Sequence, residues 1–276
     1  MGSVSNGDNY VLGRSVMESV RLDGQHFIFK LQNGYTIHPQ IPITPDTKIA
    51  EIGTGTGIWL LDVSSQVPPT VQLNGFDISE EQFPAQSTLP SNMTLQVMDA
   101  FAEVPAEHFE KYDVVHMRLW CAIIRGCDTF PLIRHATQLL KPGGYLQWEE
   151  YNPSRSGTYI NGAEAEALYS FASMLRKELD IDPSWLVDIP NRVKKAGLNV
   201  LEFRTDPFSK ACVPIVTKSL LMFHMSLIDG AYKAGVSGLP PRHEADAVLT
   251  AALHAAKNGV AQYSNPLALL AQKPLA

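Results

Sequence analysis

Apolar and polar positions fall into blocks whose period changes along the chain. Lys48 to Ile52 is a short run with Ile49 and Ile52 as β-branched residues, and it predicts a strand. An apolar, helix-like segment, Ile58 to Val63, follows directly after three glycines. VQLNGFDIS reads as a second strand ending at Asp77, Met93 to Met98 as a third, and Tyr112 to Met117 as a fourth. PLIRHATQLL places Leu132, Ile133, Ala136, Leu139 and Leu140 at helical spacing. Gly143-Gly144 breaks that helix, and KPGGYLQWEE turns into a fifth strand. From Lys48 to about Pro153 strand and helix alternate, which predicts an α/β fold with a parallel sheet.

The flanks carry additions to this core. Residues 1 to about 8 read as loose. Val16, Val20, Phe27 and Phe29 recur at helical spacing, so an N-terminal helix is expected ahead of the first strand. YTIHPQIPITP is a proline-rich connection into that strand. Beyond the fifth strand, an insertion near 155–183 holds an amphipathic helix on which Phe171, Met174 and Leu175 are candidates for a ligand wall. PSWLVDIPNRVKKAGL is a helix started by Pro183 and Ser184 and stopped by Gly197. NVLEFRTDPF predicts a sixth strand. A second insertion near 209–241 predicts a lid helix holding Leu221, Phe223 and Met225. His243 to Lys257 reads as a helix and Asn265 to Pro274 as the last strand. The organisation is an extension over 1–45 and one domain over 46–276 with two lid insertions.

Candidate chemistry gathers at the carboxyl ends of the strands, where ligands sit in open α/β sheets. Gly53, Gly55 and Gly57 stand as G-x-G-x-G between strand and helix, with Glu51 just ahead. Glycine admits positive φ and lets a ligand approach where a Cβ would collide. The following helix points free N–H groups at that ligand. A dinucleotide site wants G-x-G-x-x-G, because a pyrophosphate must fit. An acid beside the loop suits a cationic ligand better than a pyrophosphate. Asp77 follows the first glycine at close to the roughly 20-residue interval at which an acid reaches ribose hydroxyls.

The series GTGTG, FD, DA, YDVVHMR and LKPGGYL, in this order, resembles the class I S-adenosylmethionine methyltransferases. RLDGQH ahead of GTGTGIW and DVVHMR resembles the fungal secondary-metabolism, LaeA-like group within that family. The resemblance implies a Rossmann-like seven-stranded sheet, mostly parallel with the last strand antiparallel. It implies S-adenosylmethionine as cofactor, held by Glu51, Gly53, Thr54, Gly55, Gly57, Asp77, Ile78, Asp99, Ala100, Phe101, Met117 and Arg118. In that pattern Asp77 takes the ribose hydroxyls, Asp99 takes the adenine amino group, and an apolar neighbour packs on the ring.

Composition narrows the partners. The 276 residues carry a formal net charge of −6 and no Lys/Arg run, which argues against nucleic acid. Three cysteines without a C-x-x-C indicate neither a disulfide framework nor a zinc site. No apolar run reaches the roughly 18 residues of a membrane span, and MGSVSNGDNY carries no signal peptide, so a cytoplasmic setting is expected. The oligomeric state is left open.

Displacement at a sulfonium methyl needs position and a dry site, and a base only where the acceptor must lose a proton. His26 is the first candidate base, with His116 and His224 behind it; Tyr10, Arg21 and Gln25 join His26 in closing over the ligands. The alternative for His26 is packing, with Arg21 and Asp23 paired locally. No metal is needed. The expected function is methyl transfer to O or N of a small, apolar or aromatic secondary metabolite. The alternatives are a cyclase (pericyclase) on the same scaffold that keeps the cofactor without turning it over, and a regulator acting through protein partners.

Overall fold

The computed structural model describes residues 11–275, so the expectations for residues 1–8 and for Tyr10 lie outside the described residues. α1 (Val16–Asn33) starts on Ser15, whose hydroxyl accepts from the Glu18 N–H. It ends at Gly34, in the left-handed conformation that a glycine cap allows. β1 (Lys48–Ile52), α2 (Ile58–Ser64), β2 (Gln72–Asp77), β3 (Met93–Val97) and β4 (Tyr112–Arg118) follow. Then come α3 (Phe130–Leu139), β5 (Leu140–Asn152), β6 (Thr158–Asn161), α4 (Ala163–Glu178), α5 (Ile189–Lys195), β7 (Asn199–Arg204), α6 (Val213–Lys233), α7 (Arg242–Ala256) and β8 (Ala261–Gln272).

The sheet runs β3-β2-β1-β4-β5-β8. β1 to β5 pair in parallel, and β8 lies antiparallel to β5, as expected. Ile52 of β1 sits opposite Phe76 of β2 and Met117 of β4, so the carboxyl ends of these strands reach one rim together. β1 is buried beyond its first residue, which is why it reads as a continuous apolar run around Glu51.

Three features differ from the sequence expectation. β6, a short strand pairing with the start of β8, is additional, and the sheet counts eight strands. β5 begins at Leu140 rather than after Gly144, because Leu140 already pairs with Tyr112 of β4; Gly143, in the left-handed conformation at φ +81°, donates its N–H to the Lys273 carbonyl just past β8. α1 is turned around: Val16, Val20 and Phe27 are exposed (Val16 at 79%), while Glu18, Arg21, Gln25, His26, Ile28 and Phe29 are buried. Its helical spacing is real, but a mostly polar face points inward, because the helix lies over the polar rim of the sheet.

α4, α6 and α7 form a separate helical layer around Leu168, Leu175, Leu221, Leu227 and Leu249. Leu12 joins that cluster, carried across α6 by a chain segment so close that a Cβ at Gly230 would overlap the Val11 carbonyl. Beneath the other side of the sheet, Trp59 of α2 stacks on His116 of β4 with ring centroids 3.8 Å apart and 4° between planes. Its indole N–H donates to the Thr36 carbonyl at 3.2 Å. Trp59→Ala empties this layer and should cost about 3–5 kcal/mol. Urea unfolding followed by circular dichroism tests this; a loss below about 1 kcal/mol would mean that the stack contributes little.

Candidate functional site

The turn after β1 forms because three glycines take left-handed φ: +70° at Gly53, +54° at Gly55 and +73° at Gly57. The N–H groups of Gly53 and Thr54 both donate to the Phe76 carbonyl, at 2.8 and 2.9 Å, which locks the turn onto β2. The Gly55 N–H donates to Asp77 Oδ2 at 2.9 Å. A Cβ on Gly53 would stand 3.0 Å from the Trp120 ring, and one on Gly55 3.3 Å from Leu22 of α1. α1 is also tied to the turn by polar contact, since Thr56 Oγ1 donates to Asp23 Oδ1 at 2.7 Å.

A cavity of about 580 Å³ opens over this rim. Glu51, Gly53, Thr54, Gly55, Asp77, Ile78, Asp99, Ala100 and Phe101 line one half. Burial pushes the Asp77 carboxyl up, opposed by the N–H groups of Gly55 and Ser79. Asp99 is exposed and accepts from the Phe101 N–H at 2.8 Å. Ile78 and Phe101 present apolar side chains there, each 44% exposed. A bare glycine turn, three carboxylates and two apolar walls fit a nucleoside with a cationic tail. The buried Trp120 indole N–H, without a hydrogen-bond partner among the described residues, is a spare donor on the same wall.

Gly57 and Met117 do not line the cavity. Gly57 caps α2 and packs against Met93 of β3, and Met117 points into the core between strands. Both were expected to touch a cofactor, and neither is among the residues that line the cavity.

None of the three candidate histidines lines the cavity. His116 is completely buried between two glutamates, with Nδ1 3.0 Å from Glu51 Oε1 and Nε2 3.5 Å from Glu149 Oε2. The second oxygen of Glu51 accepts from Thr54 Oγ1 at 2.6 Å. Glu149 also accepts from Asn33 at 2.8 Å, and Arg118 stands 3.7 Å away. His26 bonds Asp62 at 3.0 Å, and Lys30 (2.7 Å) and Thr36 (2.5 Å) donate to that same carboxylate. Burial, then the Arg118 charge, pushes the His26 imidazole down. Arg21 pairs with Glu18 at 2.9 Å and Gln25 at 2.8 Å, not with Asp23. His224 is buried in the helical layer with Nδ1 unpartnered; burial, then the Arg176 charge, pushes it down to about 3.

The other half of the cavity is walled by Arg21, Gln25, Arg118, Trp120, Tyr151, Arg176, Leu220 and Phe223, with Ser264 at the start of the β5–β8 pairing. Arg118 closes β4 and Trp120 follows two residues later, at the rim. Beneath Trp120, the buried Glu150 carboxylate accepts from the N–H groups of Trp120 (2.7 Å) and Cys121 (3.2 Å) and from the Trp148 indole (2.8 Å). Burial pushes Glu150 up to about 7 against those donors. The carboxylate holds the turn that follows Leu119, a non-glycine residue at φ +62°. Of the expected walls, Phe223 lines the cavity, Leu221 packs within the helical layer and Met225 faces outward. On α4, Phe171, Met174 and Leu175 do not line it, and Arg176 does. Arg176, Leu220 and Ser264 carry no local signature in the sequence; the rotation of α4 and α6 over the rim brings the first two there, and the pairing of β8 with β6 the third.

A family model described as a methyltransferase domain matches residues 37–202. A methyltransferase, grgD, of Penicillium sp is 35% identical over 198 residues, covering 68% of this chain and 67% of that protein. The N-methyltransferase tcpN of Claviceps purpurea is 35% identical over 158 residues, covering 55% and 54%. The chain therefore spans between about half and two thirds of these relatives' lengths. Among solved structures, Haemonchus contortus phosphoethanolamine N-methyltransferase 2 in complex with S-adenosyl-L-methionine superposes with a TM-score of 0.55 at 17% identity, covering 95% of this chain and 57% of that one. The [4+2]-cyclase SpnF does so with a TM-score of 0.55 at 16% identity, covering 92% and 81%. At such identities the shared property is the fold.

The buried imidazoles make stability pH-dependent. His224 titrates near 6.5 when exposed and near 3 when folded. Its neutral form is therefore required by the fold. Its contribution is complete above about pH 6.5 and is lost as pH falls from there toward 3, at up to about 1.4 kcal/mol per pH unit. His26 and His135, also pushed down by burial, act in the same direction. Urea-derived unfolding free energies should fall below pH 6.5, and His224→Asn should flatten that slope by up to one proton. An unchanged slope would mean that His224 is protonated in the folded state.

Proposed function

We propose that the chain, which belongs to the methyltransferase-domain family, is an S-adenosylmethionine-dependent enzyme that methylates O or N of a small, largely apolar or aromatic secondary metabolite. One observation carries the reading. Gly53, bare of a Cβ, lies against Trp120, so the glycine-turn half and the half walled by Trp120, Leu220 and Phe223 form one continuous cavity. The cofactor supplies an already activated methyl group on a sulfonium.

The chain's residues bind, orient and exclude water. Asp77 takes the ribose hydroxyls, Asp99 the adenine amino group, and Ile78 and Phe101 flank the adenine. Glu51 contributes negative charge beneath the glycine turn, its oxygens held by Thr54 and His116. The segment before α1, with α4 and α6, acts as a lid that keeps the acceptor half dry, which is where position counts most. No histidine among the described residues lines the cavity, and burial keeps the Tyr151 phenol protonated. The acceptor atom therefore arrives as a ready nucleophile, an amine or an already ionised oxygen. His26, His116 and His224 are holding groups in this reading. The formal charge of −6 favours a small-molecule partner over nucleic acid, and the reducing character of the cysteine pattern favours a cytoplasmic setting. No helix among the described residues is long and apolar enough to cross a membrane.

Calorimetric titration with S-adenosylmethionine, followed by methyl-labelled cofactor and an extract of fungal small metabolites, tests this. Binding and label transfer are expected, and Asp77→Ala should weaken cofactor binding by about tenfold or more, the loss of about 1.4 kcal/mol. Binding without transfer would favour the cyclase or regulator reading. No binding would overturn the proposal, and an Asp77→Ala variant that binds as tightly as wild type would overturn the ribose assignment.

A further inference from the structure

We propose that Arg176 and Tyr151 build an anion subsite in the acceptor half of the cavity, and that the acceptor is an apolar or aromatic molecule carrying a carboxylate. This rests on the methyl-transfer reading above, which defines that half as the acceptor's.

Arg176 lines the cavity from α4. It donates to Ser173 Oγ at 2.7 Å, on the same helix, and lies 5.5 Å from the Tyr169 ring centroid. The other groups that act on its charge are the side chains of Tyr169 and Cys121, neither of them a carboxylate, and burial pulls its pKa down. Two other cavity arginines are already matched. Arg21 holds Glu18, and Arg118 stands beside Glu149. A guanidinium taken out of water without a counter-anion is costly, and the cost is removed when an anion binds.

Tyr151 supplies the second, independent observation. Tyr151 lines the cavity, and its buried hydroxyl has no hydrogen-bond partner among the described residues. The ring cannot swing to find one. It stacks on Phe29 at 4.6 Å and 15°, and Phe208 meets it edge-on at 5.8 Å. Burial keeps the phenol protonated against the Arg118 charge, so the oxygen offers a hydrogen to a ligand. Arg176, Tyr151 and Cys121 line the same cavity. Glu149, the carboxylate that also acts on Tyr151, is engaged by Asn33 and His116. His224, which the Arg176 charge reaches, is neutral. A guanidinium takes a carboxylate through two parallel bonds, and a fixed phenol adds a third donor. Leu220 and Phe223 provide the apolar wall for the rest of the molecule.

The test uses the full chain loaded with S-adenosylhomocysteine. Calorimetric titration with 1-naphthoate and with its neutral isostere 1-naphthamide compares charge at constant shape. The acid should bind at least about tenfold tighter than the amide. Arg176→Gln should abolish the preference, Arg176→Lys should keep part of it, and Tyr151→Phe should reduce it severalfold. Equal affinities, no binding of the acid, or a preference that survives in Arg176→Gln would overturn the subsite. Should Arg176→Gln fail to fold, the wild-type acid-over-amide ratio and the Arg176→Lys value decide alone. A chain that does not take up S-adenosylhomocysteine defeats the methyl-transfer reading and the subsite with it. A chain that takes it up but shows no acid preference defeats the subsite only.

Discussion

Two glutamates and a histidine lie buried side by side across β1, β4 and β5, and the surrounding structure is arranged to keep them paired. Glu51 of β1 sits opposite His116 of β4, and Glu149 of β5 lies two residues beyond Gln147, the residue opposite His116, so the parallel sheet itself sets their spacing. Each remaining oxygen has a donor: Thr54 from the glycine turn, Asn33 from α1. Trp59 covers the imidazole from below. Removing one partner of such a group leaves an uncompensated buried charge, typically a loss of about 3–5 kcal/mol. The glycine turn, α1 and α2 are thus held to the sheet by the same polar cluster that stands under the cavity.

This arrangement explains α1. A helix laid on an apolar sheet face buries its apolar stripe. α1 lies instead over carboxylates and an arginine, so its inward face is Glu18, Arg21, Gln25 and His26, while Val16, Val20 and Phe27 are turned outward. His26 joins Asp62, Lys30 and Thr36, linking α1 to α2 through a second polar cluster. Histidines in a methyl-transfer fold attract a catalytic reading, yet here two of them tie elements together and the third packs within the helical layer.

The parts of the fold written locally were legible. The strand of Ile49 and Ile52, the left-handed glycines and the acid at Asp77 each depend on residues near one another in sequence. Periodicity alone also found α1 and α3. It did not say which way a helix would face, because that depends on what lies beneath. The wall expected of Phe171, Met174 and Leu175 rotated away, and Arg176, one residue further on, came round to the cavity. Tyr151 and Glu150 show the same limit within a strand: alternate residues face opposite sides of β5, so Tyr151 reaches the cavity while Glu150 supports the turn below Trp120. β6 was missed because its strand is short and pairs with residues about a hundred positions away, as Asn161 with Ala261.

The cavity's two halves have different origins. One is made by the ends of the central strands, whose positions are fixed by pairing on both sides. The other takes Leu12, Arg176, Leu220 and Phe223 from segments that lie outside the sheet. Mutational drift in those segments can alter which molecule is accepted without disturbing how the methyl donor is held. Descendants of one ancestral gene can in this way diverge in product while inheriting an unchanged donor site.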